Sequence, residues 1–138
     1  MANLDLSWFD SPEDEAQLKK LDELIQGFSD WQPTRRDFEE LLSVFERFPF
    51  HDGYEVFWSI VHCIEHYQGY EPALLASVRR TPCDFNLILI NRMLNGGITE
   101  IGNVSLIELL QTVAASDKAS QCACETARRF IAYQDAKL

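Results

Sequence analysis

The chain has 138 residues, of which 46% are hydrophobic, and its formal net charge is -10. This length predicts one ordered domain, residues 1–138, with a hydrophobic core of its own. No apolar run reaches the roughly 18 residues that cross a membrane, and no basic, apolar leader opens the sequence, so we expect a cytoplasmic protein without a membrane partner. The lysines and arginines are not clustered as a nucleic-acid interface requires, which excludes that class of partner.

The chain begins with an irregular lead-in, residues 1–10, whose Trp8 and Phe9 are predicted to dock on the body of the protein. A first helix is predicted from Ser11, because a cap-forming serine precedes Pro12 and an apolar stripe follows. The glycine, serine and proline of the next joint, residues 27–33, indicate a turn before a second helix.

The second helix is predicted to start at Thr34, since an aspartate, Asp37, follows three residues later as in a capping box. Phe38, Leu41 and Phe45 recur at helical spacing and form its core face. Acidic residues are concentrated in this first third of the chain, a distribution that suits either solubility or a basic partner.

Residues 52–97 form the most apolar block and are predicted to hold three core helices. The first runs from about Gly53 to Tyr67 behind Asp52 as its cap. The second starts at Pro72, and the third starts behind Thr81 and is apolar on almost every side, as a buried helix is. Arg92 interrupts this third helix, and we interpret it as a structural anchor that pairs with a carboxylate such as Glu65 or caps a helix end.

Two more helices are predicted after this block. Ser105 with Glu108 indicates a capping box for one, and the last runs from near Asp117 to Ala136. No segment alternates with the period of a strand, so the sequence predicts an all-α fold of about seven helices. The spacing of helix starts near Thr34, Glu71 and Ser105 favours HEAT-like helical hairpins, and a compact α-bundle is the alternative.

His62, Glu65 and His66 match the H-x-x-E-H motif of inverted zinc peptidases, in which two histidines one helical turn apart bind zinc and the glutamate is the general base. A third ligand has no recognisable place in the sequence. The favoured interpretation is that these side chains form the outer face of a core helix. We therefore predict no catalytic residue, no metal and no cofactor, with four reduced cysteines rather than a disulfide framework.

Residues 50–115 resemble the small helical immunity proteins encoded beside bacterial polymorphic toxins, including those of contact-dependent inhibition, Rhs and type VI secretion systems. The features that carry the resemblance follow one another along the central block: Gly53 to Trp58, His62 with Glu65, the joint Gly69 to Pro72, Arg79-Arg80 before Pro82, and Asn91 to Gly97 before the LLQTV helix.

The resemblance implies a cytoplasmic protein, without catalytic activity, that binds and neutralises a cognate toxin domain. Such toxins are often nucleases with basic clefts, which an acidic partner would cover. From charge clustering alone we predict the following partner-binding surface: Asp30, Trp31, Glu39, Glu40, Glu46, Asp52 and Glu55. The alternatives are a helical-repeat adaptor for another protein and, less favoured, a zinc hydrolase that uses the H-x-x-E-H motif.

Overall fold

The computed structural model describes residues 3–137 of the chain. These residues form an all-α protein, as predicted. Seven α-helices follow in order: α1 (Glu15–Gln26), α2 (Arg35–Arg47), α3 (Val56–His66), α4 (Glu71–Arg80), α5 (Asp84–Asn95), α6 (Leu106–Ala114) and α7 (Gln121–Ala136). A 3-10 turn, Gly53–Glu55, precedes α3. Two short strands that were not predicted, β1 (Glu100–Ile101) and β2 (Val104–Ser105), pair antiparallel between α5 and α6.

Two helix starts are confirmed. The Thr34 hydroxyl accepts from the Asp37 N–H, and the Asp37 carboxylate accepts from the Thr34 N–H, so the capping box of α2 is complete. The Ser105 hydroxyl accepts from the Glu108 N–H at 3.2 Å and caps α6. Both caps satisfy amide groups that the first turn of a helix leaves without partners.

Two further starts were predicted wrongly. The cap of α1 is Asp14 rather than Ser11, because the Asp14 carboxylate accepts from the amides of Ala16 and Gln17. Ser11 instead closes a turn before the helix by accepting from the Glu13 N–H. The last helix begins after Ser120 rather than near Asp117, since Ser116 folds the intervening residues into a turn.

The starts of α3 and α5 also differ from prediction. Asp52 caps the 3-10 turn by accepting from the Tyr54 N–H, and α3 begins only at Val56. Helix α5 begins behind Cys83 rather than Thr81, because the Asn86 side chain accepts from the Cys83 N–H at 2.9 Å. In each case the regular α-helix begins two or three residues later than predicted.

The lead-in lacks regular secondary structure over residues 3–10, as predicted, and it docks firmly. Leu6 and Phe9 are fully buried, and Trp8 is half-buried. The Arg47 guanidinium donates to the carbonyl oxygens of Phe9 and Leu6 at 2.6 and 3.1 Å. These bonds tie the lead-in to the end of α2.

Three pairs of helices pack together although one other helix lies between them in the sequence: α1 on α3, α2 on α4 and α5 on α7. Helices α2 and α4 run in the same direction, because Phe38 lies against Tyr70 near their starts and Glu46 binds Arg80 near their ends. The predicted hairpin of α6 and α7 is present, whereas α2 packs more extensively on α4 than on α3. The result is a compact helical fold. None of the helices in residues 3–137 has the length and apolarity to cross a membrane.

Candidate protein-binding surface

Two aromatic side chains between α2 and α3 are unusually exposed. Phe50 is 73% exposed and Tyr54 is 59% exposed, although the neighbouring Phe57 is fully buried. Phe50 and Tyr54 line a shallow cleft of about 300 Å³ together with Asp52 and Phe85. Grouped aromatic exposure of this kind is typical of binding surfaces, because tyrosine and phenylalanine supply contact area at low entropic cost.

The backbone that carries Tyr54 is strained. Gly53, Tyr54 and Glu55 have φ values of 65°, 47° and 81° in succession. Only glycine adopts positive φ without a steric penalty, so Tyr54 and Glu55 are held there by the surrounding structure. Residues in such conformations are concentrated at functional sites. A Cβ atom on Gly53 would lie 2.2 Å from the ring of Phe57, which requires glycine at this position.

Three hydrogen bonds fix this turn. The Asp52 carboxylate accepts from the Tyr54 N–H at 3.0 Å, and His51 Nδ1 accepts from the Gly53 N–H at 2.7 Å. The Tyr54 hydroxyl donates to Glu13 Oε2 at 2.8 Å and reaches from the turn to the segment before α1. The exposed aromatic ring is therefore held in one orientation rather than free to collapse onto the core.

His51 belongs to the same network. Because Nδ1 accepts from Gly53, the proton of the neutral ring lies on Nε2, which donates to Glu13 Oε1 at 2.6 Å. Both ring nitrogens are thus occupied, and neither offers the free lone pair that a general base needs. The hydrogen bonds from His51 and Tyr54 lower the pKa of the Glu13 carboxyl, and the bond to Glu13 raises the pKa of Tyr54. Glu13 is accordingly a fixed anion beside the aromatic rings.

We call this surface the aromatic–acidic patch: Glu13, Phe50, Asp52, Tyr54 and Glu55. Its three carboxylates are exposed; Glu13 binds the Tyr54 hydroxyl, and Asp52 lines the cleft with both aromatic side chains. Exposed aromatic groups next to charged ones are typical of protein interfaces, in which the aromatic groups supply affinity and the charges direct association.

The predicted surface residues are divided among several places. Asp52 and Glu55 belong to the patch. Trp31 stacks on Phe28 and meets Tyr67 at 5.1 Å, which places it and Asp30 beside the end of α3. That end lies about 16 Å from the start of α3, where the patch is found. The predicted set is therefore not one contiguous surface.

The three predicted glutamates of α2 are also unlike the patch residues. Glu39 and Glu40 are half-buried. Glu46 is only 11% exposed, and its carboxylate binds the Arg80 guanidinium in two bonds of 2.7 and 2.8 Å. The Ser77 hydroxyl donates to the same carboxylate at 2.9 Å. Glu46 is thus already neutralised within the fold.

Phe50, Tyr54 and Glu13 were not predicted as site residues. A signal existed for the two aromatic residues, since both lie outside the apolar stripes of the flanking helices. Glu13 carried no such signal. Its partners His51 and Tyr54 are 38 and 41 residues away in sequence, so only the tertiary fold brings them together.

The H-x-x-E-H residues lie on α3, with His62 exposed and Glu65 half-buried. Glu65 binds Arg92 through two bonds of 2.7 and 2.8 Å, which confirms Arg92 as a structural anchor. His62 Nδ1 lies 4.0 Å from Glu65. Among residues 3–137 no group of three or more histidines, cysteines and carboxylates is placed to hold a metal ion. The exposure of His62 and the pairing of Glu65 with Arg92 agree with the outer-face interpretation of this motif.

The cysteines are free thiols. Cys63, Cys83 and Cys124 are buried, whereas Cys122 is exposed. Burial raises the pKa of the Cys63 thiol to about 11 and that of Cys83 to about 12. Both therefore stay protonated at neutral pH, which makes them poor nucleophiles and poor metal ligands.

Comparisons of the chain with protein-family models, with curated proteins and with solved structures gave no match.

Proposed function

We propose that this chain is a cytoplasmic immunity protein, which binds a cognate secreted toxin domain through the aromatic–acidic patch and blocks it by contact. The observation that carries the proposal is the strained, hydrogen-bonded turn that holds Tyr54 exposed beside Phe50. The two rings remain largely exposed, so they bury little apolar surface and add little to the stability of the core. Recognition of a partner accounts for the arrangement.

The charge of the patch indicates the chemistry of the partner. The patch contains three exposed carboxylates, those of Glu13, Asp52 and Glu55, and the whole chain carries a net charge of -10. Such a field attracts a basic surface and speeds its association. A toxin domain with a basic substrate cleft, such as a nuclease, is the partner that fits this surface and agrees with the resemblance of residues 50–115.

The direct test is a titration of the purified protein with the C-terminal domain encoded by the gene immediately upstream. Phe50→Ala is expected to weaken the complex at least about tenfold, the loss typical of an aromatic hot spot. Tyr133→Ala is the matched control, because Tyr133 on α7 is also exposed, at 49%, and lies outside the patch. Equal affinity of both variants would overturn the assignment of the patch, and no complex with the native protein would overturn the immunity proposal.

Charge is tested separately with Glu55→Lys and Asp117→Lys, which change the net charge equally. Glu55 is exposed within the patch, and Asp117 is exposed in the joint between α6 and α7. We expect the association rate to fall several-fold for Glu55→Lys and to lose part of its salt dependence. The same fall for Asp117→Lys would show that net charge, and not the patch, directs association.

The helical-repeat adaptor remains the second candidate, and one observation favours it. The stacking of α1 on α3 and of α2 on α4 is the kind of contact that alternate helices make in repeat proteins. An adaptor would use the same patch for a cellular protein. A toxin domain that fails to bind, together with a cellular protein that binds the native chain but not Phe50→Ala, would select this candidate.

A further inference from the structure

A second surface of the molecule carries positive charge, opposite to that of the aromatic–acidic patch. An open groove of about 860 Å³ lies between α4 and the β1–β2 hairpin. We call it the arginine groove and define it by Arg35, Leu75, Ala76, Arg79, Ile101 and Val104. Leu75 and Ala76 come from α4, and Ile101 pairs with Val104 across the hairpin, so four apolar side chains line the groove together with the two arginines.

The arginines of the groove retain their charge for a ligand. Arg35 and Arg79 are exposed, and neither has a carboxylate within 4.0 Å in the part of the chain that the structure describes. Arg80 also borders the groove, but Glu46 already binds it. The chain has a net charge of -10, but the groove is locally positive. Its two arginines, which pair with no carboxylate of the described residues, lie beside an apolar floor formed by the apolar side chains of the groove.

The two arginines lie at different ends of the groove. Since α2 and α4 run in the same direction, Arg35 at the start of α2 lies beside the start of α4, where Pro72 borders the groove. Arg79 belongs to the last turn of α4. The distance along α4 from Pro72 to Arg79 is about 10 Å at 1.5 Å per residue. A ligand that meets both arginines therefore carries two negative charges about this far apart.

We propose that the arginine groove binds an acidic, amphipathic peptide segment of a protein partner. In a helical peptide, two carboxylates seven positions apart are separated by about 10 Å, and apolar side chains midway between them lie on the same face. The carboxylates accept from Arg35 and Arg79, and the apolar side chains cover Leu75 and Val104. Arginine forms paired hydrogen bonds with carboxylates, which makes this contact selective for acidic ligands.

This inference is independent of the aromatic–acidic patch, because the two surfaces select partners of opposite charge. The apolar floor is what favours a peptide over a simple anion. An isolated anion would contact the guanidinium groups but would leave the apolar side chains uncovered, whereas an amphipathic segment covers them and gains from their burial.

The test uses a fluorescein-labelled helical peptide of about 14 residues, with two glutamates seven positions apart and two leucines midway between them. Fluorescence anisotropy measures its binding to the full chain. Arg79→Glu and Arg35→Glu are each expected to weaken binding about tenfold. Arg36→Glu is the matched control, because Arg36 is exposed on α2 and does not border the groove. Circular dichroism checks that each variant is folded.

One set of results would support the arginine groove, and three others would each overturn it. Saturable binding that Arg79→Glu and Arg35→Glu weaken and Arg36→Glu leaves unchanged would support the groove. A version of the peptide with glutamine in place of both glutamates is expected to bind at least about tenfold more weakly. Absence of binding by the native chain, equal binding of the glutamine peptide, or an equal loss in Arg36→Glu would each overturn the proposal.

Discussion

Two neighbouring places near the end of α2, the aromatic–acidic patch and Glu46, differ in whether their carboxylates are exposed or paired. Asp52 and Glu55 of the aromatic–acidic patch are exposed, and Glu55 carries its charge into solvent. Glu46, only a few residues earlier, is 11% exposed and binds Arg80 and Ser77. Charge clustering in the sequence placed all three in one binding surface. Their environments leave the first two exposed to solvent, whereas the third takes part in the packing of α2 on α4.

The difference shows that the availability of a charge is decided by tertiary contacts. A glutamate in the last turn of a helix has no intrinsic reason to be buried, since burial of an unpaired carboxylate is costly. Arg80 and Ser77, which α4 brings to Glu46, make that burial possible. Within residues 3–137 no lysine or arginine forms an ion pair with a carboxylate of the patch, and Glu13 accepts from His51 Nε2 and from the Tyr54 hydroxyl instead.

The largest effect is expected from the turn that shapes the patch. Gly53→Ala would force φ of +65° on a residue with a Cβ atom, and that atom would lie 2.2 Å from the buried Phe57 ring. We expect a loss of about 3 kcal/mol of unfolding free energy, from backbone strain and overpacking together. Urea unfolding followed by circular dichroism measures it.

Gly69→Ala is the matched control for this prediction. Gly69 also has a positive φ, of +92°, but a Cβ atom there would meet nothing within 4 Å. Only the strain remains, and we expect a loss of about 1 kcal/mol. If both variants lose the same free energy, then Phe57 does not restrict the turn, and the argument that packing fixes the patch is wrong.

A smaller change in unfolding free energy is expected to distinguish a paired carboxylate, Glu46, from an exposed one, Glu55. Glu46→Gln replaces an ion pair with Arg80 and places an amide group where three donors converge, two from Arg80 and one from Ser77, so we expect a loss of about 1–2 kcal/mol of unfolding free energy. Glu55→Gln is expected to change it by less than about 0.5 kcal/mol, since that side chain is exposed. Glu55→Gln is expected to slow association with the proposed toxin domain more than Glu46→Gln does. Equal unfolding free energies for both variants would contradict the structural role of Glu46.

Local signals in the sequence were sufficient for much of the fold. The helical class follows from apolar periodicity, and the start of α2 follows from a capping box that is complete within four residues, Thr34 to Asp37. The start of α5 was missed because Asn86, which caps it, is itself oriented by donating to Ser77 and to the Thr81 carbonyl oxygen. A cap whose side chain is oriented by a preceding helix cannot be recognised from the few residues around the helix start.

The candidate site was less accessible from the sequence than the fold. Pairing of Arg92 with Glu65 was predictable, because a cation inside an apolar helix requires a partner. The patch depends on three successive positive φ values and on contacts from Glu13 to a turn about 40 residues away, and neither has a local signature. Acidic composition indicated a basic partner but did not distinguish exposed carboxylates from paired ones.

The smallest effect concerns pH and tests whether Glu13 stabilises the patch as an anion. Hydrogen bonds from His51 and Tyr54 lower the pKa of Glu13 in the folded protein below its ordinary value of 4.5. Its contribution to stability is therefore complete above pH 4.5 and is lost as the pH falls through the lower, folded pKa. Glu13→Gln is expected to be less stable than the native chain at neutral pH, and the difference should shrink in acid. A difference that is constant from neutral pH to well below 4.5 would show that the charge of Glu13 contributes nothing to the turn.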